Sequence, residues 1–370
     1  MSSKLALAAG VVLMAGTLWA GTVPLPRIDL PPDSPVVLLS SDYSGSNELA
    51  RGGAMVLDLH AALSFRNATQ MRIRGVTLIV LTQDVTPGGK ASVTVPSLNV
   101  GPGEAFPVRI DLRLLRPIQT GNGASVRIGL DGVLFDNLGF YGPDRLNSRR
   151  ALTVYEMEAR RDRQYFKQIL ATGGLARLQL AVVASLARQA SRPGLTVQML
   201  RGGRATNVDP EKQVRFAFLQ FPGSPIQPLD GTAEIAGNEA KSPKLEVLNR
   251  SRRPVKYLEI GWIVRDEQGR EFLAGSVPAE VSMAPGQRAE VLKDTTLRFP
   301  GTGVPVNIAG MTGFVNAVEF GDGHVWIPER SAIADPQLQK VLAPSPEEER
   351  LLQIYVKKGR DALVAELNKY

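Results

Sequence analysis

The clearest hydrophobic pattern in the chain has a period of two. Between residues 258 and 264, apolar side chains alternate with polar or small ones, as in a strand with one buried face. The positions on the apolar side are Leu258, Ile260, Trp262 and Val264. A turn sequence follows at 266–269, and a return strand begins at Arg270. The segment therefore predicts a β-hairpin with Trp262 in the core.

Similar short apolar runs recur along the chain and are separated by glycine and proline. Pro285–Gly286 reads as one turn, and Asp322–Gly323 between Phe320 and Val325 reads as a two-residue hairpin loop. Strands of this kind, without alternating helices, are typical of a β-sandwich. We therefore expect a mainly β protein.

The two halves of the sequence match each other at a nearly constant spacing. Residues 67–84 align with 249–266 without a gap, and the match continues to 133–145 with 318–330. This similarity predicts a tandem duplication of one sandwich unit.

Helical patterns follow each predicted sandwich. The first begins near Asn147–Ser148, is interrupted at Gly173–Gly174 and resumes as an apolar run. Near the C-terminus, residues 345–348 form a capping-box sequence, and Lys357–Gly359 is a basic last turn with a glycine stop. We expect a short helical hairpin after each sandwich.

These patterns together predict two tandem β-sandwich domains, each followed by helices. The predicted boundaries are an N-terminal signal or anchor at 1–26, a first sandwich at 27–146, a helical hairpin at 147–192, a second sandwich at 193–332 and C-terminal helices at 333–370.

The turn residues of the second unit also carry a resemblance. Asn249-Arg-Ser251, a strand that ends at Asp266 with Gly269 after it, and the turn Pro285-Gly286-Gln287 occur in that order. In this the chain resembles the immunoglobulin-like modules of bacterial cell-envelope proteins, of the FxLYD and CARDB types. The resemblance implies that the fold is two tandem immunoglobulin-like β-sandwich domains in an extracytoplasmic setting, and it brings no catalytic residues.

The N-terminus has the pattern of an export signal. Lys4 precedes an uncharged, mainly apolar run from Leu5 to Leu25. The run is also long enough to remain as a membrane anchor. We expect a periplasmic or secreted protein, with inner-membrane anchoring as the alternative.

Composition removes several classes of chemistry. The chain has 0 Cys and 2 His, so a thiolate zinc site, a cysteine nucleophile and a multi-histidine metal site are excluded. Its formal charge of +7 is modest for 370 residues, which does not favour a nucleic-acid binder. We expect no cofactor, no metal and no catalytic activity.

The candidate binding surface is basic and aromatic. It comprises Arg149, Arg150, Arg160, Arg161, Tyr141 and Trp326. The arginines predict a solvated charged face, or alternatively attraction to anionic lipid headgroups or an acidic partner. The two aromatic residues occupy matching positions in the repeat, which favours a structural role, with a sugar-binding platform as the alternative.

The leading functional hypothesis is a structural or interaction protein that binds a protein partner in the cell envelope. A carbohydrate- or surface-binding module is the second hypothesis. A hydrolase is the third, and it would need a cleft between the units with acids such as Asp131, Asp136, Glu319 and Asp322. Their spacing does not specify paired acid and base roles.

Overall fold

The structure is a computed structural model that describes residues 26–51, 54–82, 89–117, 126–190, 194–201, 212–300, 306–333 and 335–370. Of the described residues, 48% lie in strands and 24% in helices, so the mainly β class is confirmed. The signal or anchor predicted at 1–26 lies outside the described residues, apart from Pro26.

The first half of the chain contains nine strands in the part that the structure describes. They are β1 (Arg27–Asp29), β2 (Val36–Asp42), β3 (Asn47–Arg51), β4 (Ala54–Asn67), β5 (Ile73–Leu81), β6 (Lys90–Val95), β7 (Ala105–Pro117), β8 (Arg127–Phe135) and β9 (Phe140–Tyr141). One sheet has the order β1-β8-β5-β6, with β9 on β8; another has the order β2-β4-β3, with β7 on β4. Strand β1 pairs with β8 in parallel.

A long helix, α1 (Ser148–Ala190), separates these strands from the second set. That set comprises β10 (Gln198–Arg201), β11 (Lys212–Arg215), β12 (Ala217–Phe218), β13 (Ile226–Ala236), β14 (Glu239–Asn249), β15 (Val255–Asp266), β16 (Glu271–Met283), β17 (Arg288–Val291), β18 (Thr295–Arg298), β19 (Ile308–Phe320) and β20 (Val325–Trp326). Their sheets have the orders β12-β19-β15-β16, with β20 on β19, and β10-β18-β14-β13-β11, with β17 on β14.

The chain divides into two compact units. Unit 1 comprises residues 1–72, 77–94 and 100–131, and unit 2 comprises 73–76, 95–99 and 132–370. All of the helices described below belong to unit 2.

Both sheets of the second set contribute side chains to one hydrophobic core. Trp262 is fully buried there, with Leu258, Ile260 and Val264 on the same side of β15. The ring of Phe216 meets the Trp262 ring edge-on at 5.0 Å between centroids. The prediction from the period-two pattern is therefore confirmed for this strand, as is the turn at 266–269.

A buried asparagine closes the turn before β15. The Nδ2 of Asn249 donates to the carbonyls of Arg253 at 2.8 Å and Ala284 at 3.1 Å, and its Oδ1 accepts from the backbone N–H of Ser251 at 3.0 Å. Asn67 makes the corresponding bonds before β5, to the carbonyls of Met71 and Gly101 and from the N–H of Thr69. Each side chain thereby links its own turn to a second loop, at Gly101 for Asn67 and at Ala284 for Asn249.

Helix α1 is interrupted where the sequence predicts. Gly174 has φ 65° and ψ −166°, a conformation open to glycine alone, so residues 148–173 and 175–190 form two arms. At the N-terminus, the Asp144 carboxylate accepts from the backbone N–H of Arg149 at 2.9 Å. The cap therefore comes from Asp144, upstream of the predicted Asn147–Ser148 pair.

Three further helices follow β20: α2 (Pro336–Val341), α3 (Pro346–Lys358) and α4 (Arg360–Leu367). The hydroxyl of Ser345 accepts from the N–H of Glu348 at 3.0 Å, and Gly359 ends α3, as the capping sequence predicts. Both arms of α1 pack on α3 and α4 through a shared apolar core of Phe166, Leu178, Val182, Leu351, Leu352, Leu363 and Leu367.

We expect Asn249→Ala to lower the free energy of unfolding by about 3 kcal/mol, because it removes the side-chain hydrogen bonds to the carbonyls of Arg253 and Ala284 and takes away the acceptor of the Ser251 N–H. Urea denaturation followed by tryptophan fluorescence measures the change. The control is Arg250→Ala, since Arg250 is exposed in the same turn. Equal transition midpoints for the two variants would contradict the structural role of Asn249.

Candidate functional site

The first arm of α1 carries charged side chains that are buried. Glu156 and Asp162 are 1% and 0% exposed, and Glu347 and Glu348 at the start of α3 are equally inaccessible. Buried carboxylates require cationic or hydrogen-bonding partners, because desolvation otherwise disfavours their charged form. These four residues are called the buried carboxylates below.

Arginines from separate segments supply those partners. Asp162 contacts Arg161 at 3.0 Å and Arg330 at 3.4 Å, and Arg330 reaches Glu348 at 3.2 Å. Arg163 contacts Glu347 at 3.3 Å. Burial would raise the pKa of Asp162, but the neighbouring guanidinium groups of Arg161 and Arg330 bring that pKa below its ordinary value.

The four arginines predicted as a binding surface lie in different environments. The Arg161 side chain is 6% exposed and is engaged by Asp162. Arg150 contacts Glu319 at 3.3 Å and stacks over the Tyr257 ring at 3.6 Å. Arg160 bonds Glu156 at 2.7 Å and remains 43% exposed.

Arg149, Tyr141 and Trp326 complete the predicted set. Arg149 is exposed at the start of α1, and Tyr141 is half-buried on β9. Trp326 is half-buried on β20 and lines a cavity of about 630 Å³ beside the first arm of α1. That cavity is also lined by Tyr165, over whose ring the Arg330 guanidinium stacks at 3.8 Å, whereas Tyr141 is not among its lining residues.

The acids considered for a hydrolase are mostly in structural contacts. Glu319 is bound by Arg150 and Lys256, and Asp322 by Arg253 at 2.6 Å. Asp131 is fully buried in β8, and Asp136 is exposed. Within the described ranges, no group of three His, Asp or Glu side chains could hold a metal ion.

The second arm of α1 has an apolar face that the described residues leave uncovered. By its length and composition, helix α1 could cross a membrane. Only 17% of its most apolar 18-residue stretch is buried. Leu180 is 69% exposed and Val183 is 51% exposed. An apolar surface of this kind commonly marks an interaction site.

The exposed apolar positions follow a regular spacing. Steps of four and three residues alternate along Ala176, Leu180, Val183, Ala187 and Ala190, which are all exposed and are called the apolar seam. This is the spacing by which one helix packs against another in a coiled coil. The opposite face, with Leu178, Val182 and Ser185, is buried.

The sequence predicts this arm as a helix with Leu175, Leu178, Val182 and Leu186 on one face, and it gives no prediction for Leu180 and Val183. Leu178 and Val182 are buried, whereas Leu175 is 40% exposed. One sequence feature indicates the exposed apolar face: apolar residues occur on all sides of this helix, and such a helix needs packing partners on every side. The contacts with α3 and α4 cover one side only.

Comparisons with known proteins add no family. No protein-family model matches the chain, and no curated protein matches it significantly. Among solved structures, the crystal structure of a selenomethionine-labelled β-glucosidase from Kluyveromyces marxianus is 7% identical, with a TM-score of 0.13. The match covers 71% of this chain and 45% of that one, so this chain spans less than half of that protein's length. A TM-score this low supports no conclusion about fold or activity.

One titratable group beside the buried carboxylates has a strongly shifted pKa. Burial raises the pKa of Glu158 to about 7, and the nearby charges of Asp162 and Glu259 add to the effect against the opposing charge of Arg161. An acid whose folded pKa is raised binds its proton more tightly when folded. The stability that protonated Glu158 contributes is therefore complete below pH 4.5, its ordinary pKa, and is lost as the pH rises to about 7.

We expect Glu158→Gln to be more stable than the natural protein at pH 8, by about 2 kcal/mol, and indistinguishable from it at pH 4. Urea denaturation at a series of pH values measures the difference. The control is Glu271→Gln, because Glu271 is exposed on β16. A stability difference that does not grow between pH 4 and pH 8 would refute the shift.

Proposed function

We propose that this protein is a non-catalytic interaction protein of the cell envelope that binds a helix of a partner protein along its apolar seam. The observation that carries the proposal is the exposure of Leu180 and Val183 on a helix whose other face is firmly packed. A helix held in this way presents a preformed apolar surface, so binding costs little ordering of the protein.

Charge around the seam favours one kind of partner helix. Arg177 lies exposed on one flank of the seam. Arg188 lies further along the same flank and also contacts Glu348 at 2.9 Å. In paired helices, charges beside the seam select partners of opposite sign. We therefore assign the occupant as an apolar heptad helix flanked by acidic residues. A second copy of this chain fits less well, because residues 175–190 contain no acidic residue to face these arginines.

We make two further proposals about the protein that carries this surface, one on its architecture and one on its location. The tandem immunoglobulin-like architecture is supported by the strand order β1-β8-β5-β6, which has the same pattern as β12-β19-β15-β16, including a parallel edge strand in each. The matching bonds of Asn67 and Asn249 also support it. Extracytoplasmic location is supported by the N-terminal sequence pattern.

The carbohydrate-binding alternative has weaker support. It requires aromatic rings on one shared surface, and Trp326 lines a cavity to which Tyr141 does not contribute. The other aromatic ring of that cavity, Tyr165, is stacked against the Arg330 guanidinium at 3.8 Å.

We expect the full chain to bind a synthetic helix that has an apolar heptad seam and Glu on both flanks, and to bind a Lys-flanked version more weakly. Leu180→Glu should weaken binding by tenfold or more, because burial of one leucine contributes about 1.5–3 kcal/mol. Fluorescence anisotropy of the labelled peptide measures the affinity.

The matched control is Leu39→Glu, since Leu39 is a similarly exposed leucine at 49% and lies on β2. Equal peptide affinity for the two variants would refute the docking site. Leu180-dependent binding to phosphatidylcholine vesicles, without peptide binding, would identify a membrane surface as the occupant and overturn the proposal.

A photocrosslinking residue placed at position 180, with position 39 as the control, tests the assignment in cells. The expected adduct is an envelope protein that is crosslinked through an acid-flanked apolar helix. Recovery of the chain in the cytoplasmic fraction would contradict the envelope location.

A further inference from the structure

A second cavity in unit 2, of about 640 Å³, has an unusual concentration of bases. Its walls include Arg74, Arg160, Arg163 and Lys167, together with Glu156 and Tyr370. We call it the arginine cavity. It lies on the first arm of α1, away from the apolar seam on the second arm.

The acids that contact these bases do not match them in number. One oxygen of Glu156, Oε1, is within 4 Å of three guanidinium groups, at 2.7 Å for Arg160, 3.1 Å for Arg163 and 3.7 Å for Arg74. Glu347 adds a second carboxylate near Arg163, but it also pairs with Arg350 at 2.8 Å. The side chain of Lys167 makes no ion pair or hydrogen bond with the described residues. The cavity wall therefore has an excess of positive charge.

Several polar atoms of this wall have no hydrogen-bond partner. They are Nε of Arg74, Nη1 of Arg163 and Oε2 of Glu156. The first two lie near carboxylates, at 3.7 Å from Glu156 and 3.3 Å from Glu347, but without hydrogen-bond geometry. The Arg163 side chain is 5% exposed and that of Glu156 is 1% exposed. Buried donors and acceptors are normally satisfied, so three such atoms together indicate a group that completes them.

The ring of Tyr370 holds the donors in position. The Arg163 guanidinium lies 4.1 Å from the ring centroid and that of Arg74 lies 5.2 Å from it. Stacking on one ring fixes the planes of both guanidinium groups and keeps their faces from water. Arg74 also donates from Nη1 to Asn99 at 2.8 Å, and Arg163 donates from Nη2 to Glu156 at 3.1 Å, so the donors that remain for an oxyanion are Nε of Arg74 and Nη1 of Arg163.

We propose that the arginine cavity binds a hydrogen-phosphate group. Its oxygens accept from Arg74, Arg163 and Lys167, and its P–OH donates to Oε2 of Glu156. Arginine forks match phosphate geometry, and lysine adds a compact charge. Sulfate has the same shape but no proton to donate, so the unpaired Glu156 oxygen discriminates between the two anions. The cavity volume leaves room for an organic group attached to the phosphate.

The test is a calorimetric titration of the full chain with inorganic phosphate at pH 7 and constant ionic strength. We expect saturable binding that is at least about tenfold tighter than sulfate binding, because sulfate leaves a buried acceptor unsatisfied. Lys167→Gln should weaken phosphate binding by about tenfold, the contribution of one charged hydrogen bond. Lys358→Gln, the same change at an exposed site on α3, should leave it unchanged.

Vesicles of phosphatidylcholine with and without phosphatidic acid distinguish a lipid headgroup from a free phosphate. Lys167-dependent binding of either source supports the site and identifies that source. Absence of Lys167-dependent binding to both sources, phosphate binding that is equal to sulfate binding, or an equal reduction in the Lys167 and Lys358 variants would overturn the proposal. None of these outcomes affects the apolar seam, so the two proposals fail independently.

Discussion

The helical part of unit 2 depends on four carboxylates that water scarcely reaches. Glu156, Asp162, Glu347 and Glu348 would be strongly disfavoured in this position without cationic partners. Arg330 contacts both Asp162 and Glu348, so it ties the first arm of α1 to the start of α3. Loss of one partner in such a network leaves an uncompensated buried charge, which is far more costly than loss of a surface ion pair.

This network determines where the two proposed binding features lie. It fixes the first arm of α1, and the hydroxyl of Ser185 on the second arm bonds the carboxylate of Glu348. The second arm is therefore attached to α3 through polar as well as apolar contacts. With one side held in this way, the seam around Leu180 faces outward, and Arg163 is fixed at the wall of the arginine cavity.

Local sequence patterns predicted the parts of this fold that depend on neighbouring residues. The alternation around Trp262, the turn at 266–269 and the Ser345 cap each need only a few adjacent side chains, and each is confirmed. Local reasoning placed Arg161 on a solvated charged face, because a charged helix is usually solvated, whereas the Arg161 side chain is only 6% exposed. The buried carboxylate of Asp162, which Arg161 contacts, is also contacted by Arg330 from a distant segment of the chain.

The candidate site was hard to predict for the same reason. The arginine cavity combines Arg74 at the start of β5, Arg163 on α1 and the ring of Tyr370 at the far end of the sequence. None of the three lies in a motif, and their meeting depends on pairing between distant segments. Tandem immunoglobulin-like architecture remains a proposal, although the strand orders of the two halves have the same pattern.

Gly174 explains how one helical segment can serve two different surfaces. A continuous helix would extend the charged face of residues 156–163 into the second arm at a fixed angle. The positive φ of Gly174 breaks that relation, so the second arm adopts its own rotation and packs Leu178 and Val182 inward. A Cβ at this position would meet nothing within 4 Å, so the requirement for glycine comes from the backbone conformation and not from crowding. The charged first arm and the apolar second arm can therefore each keep the environment that its side chains need.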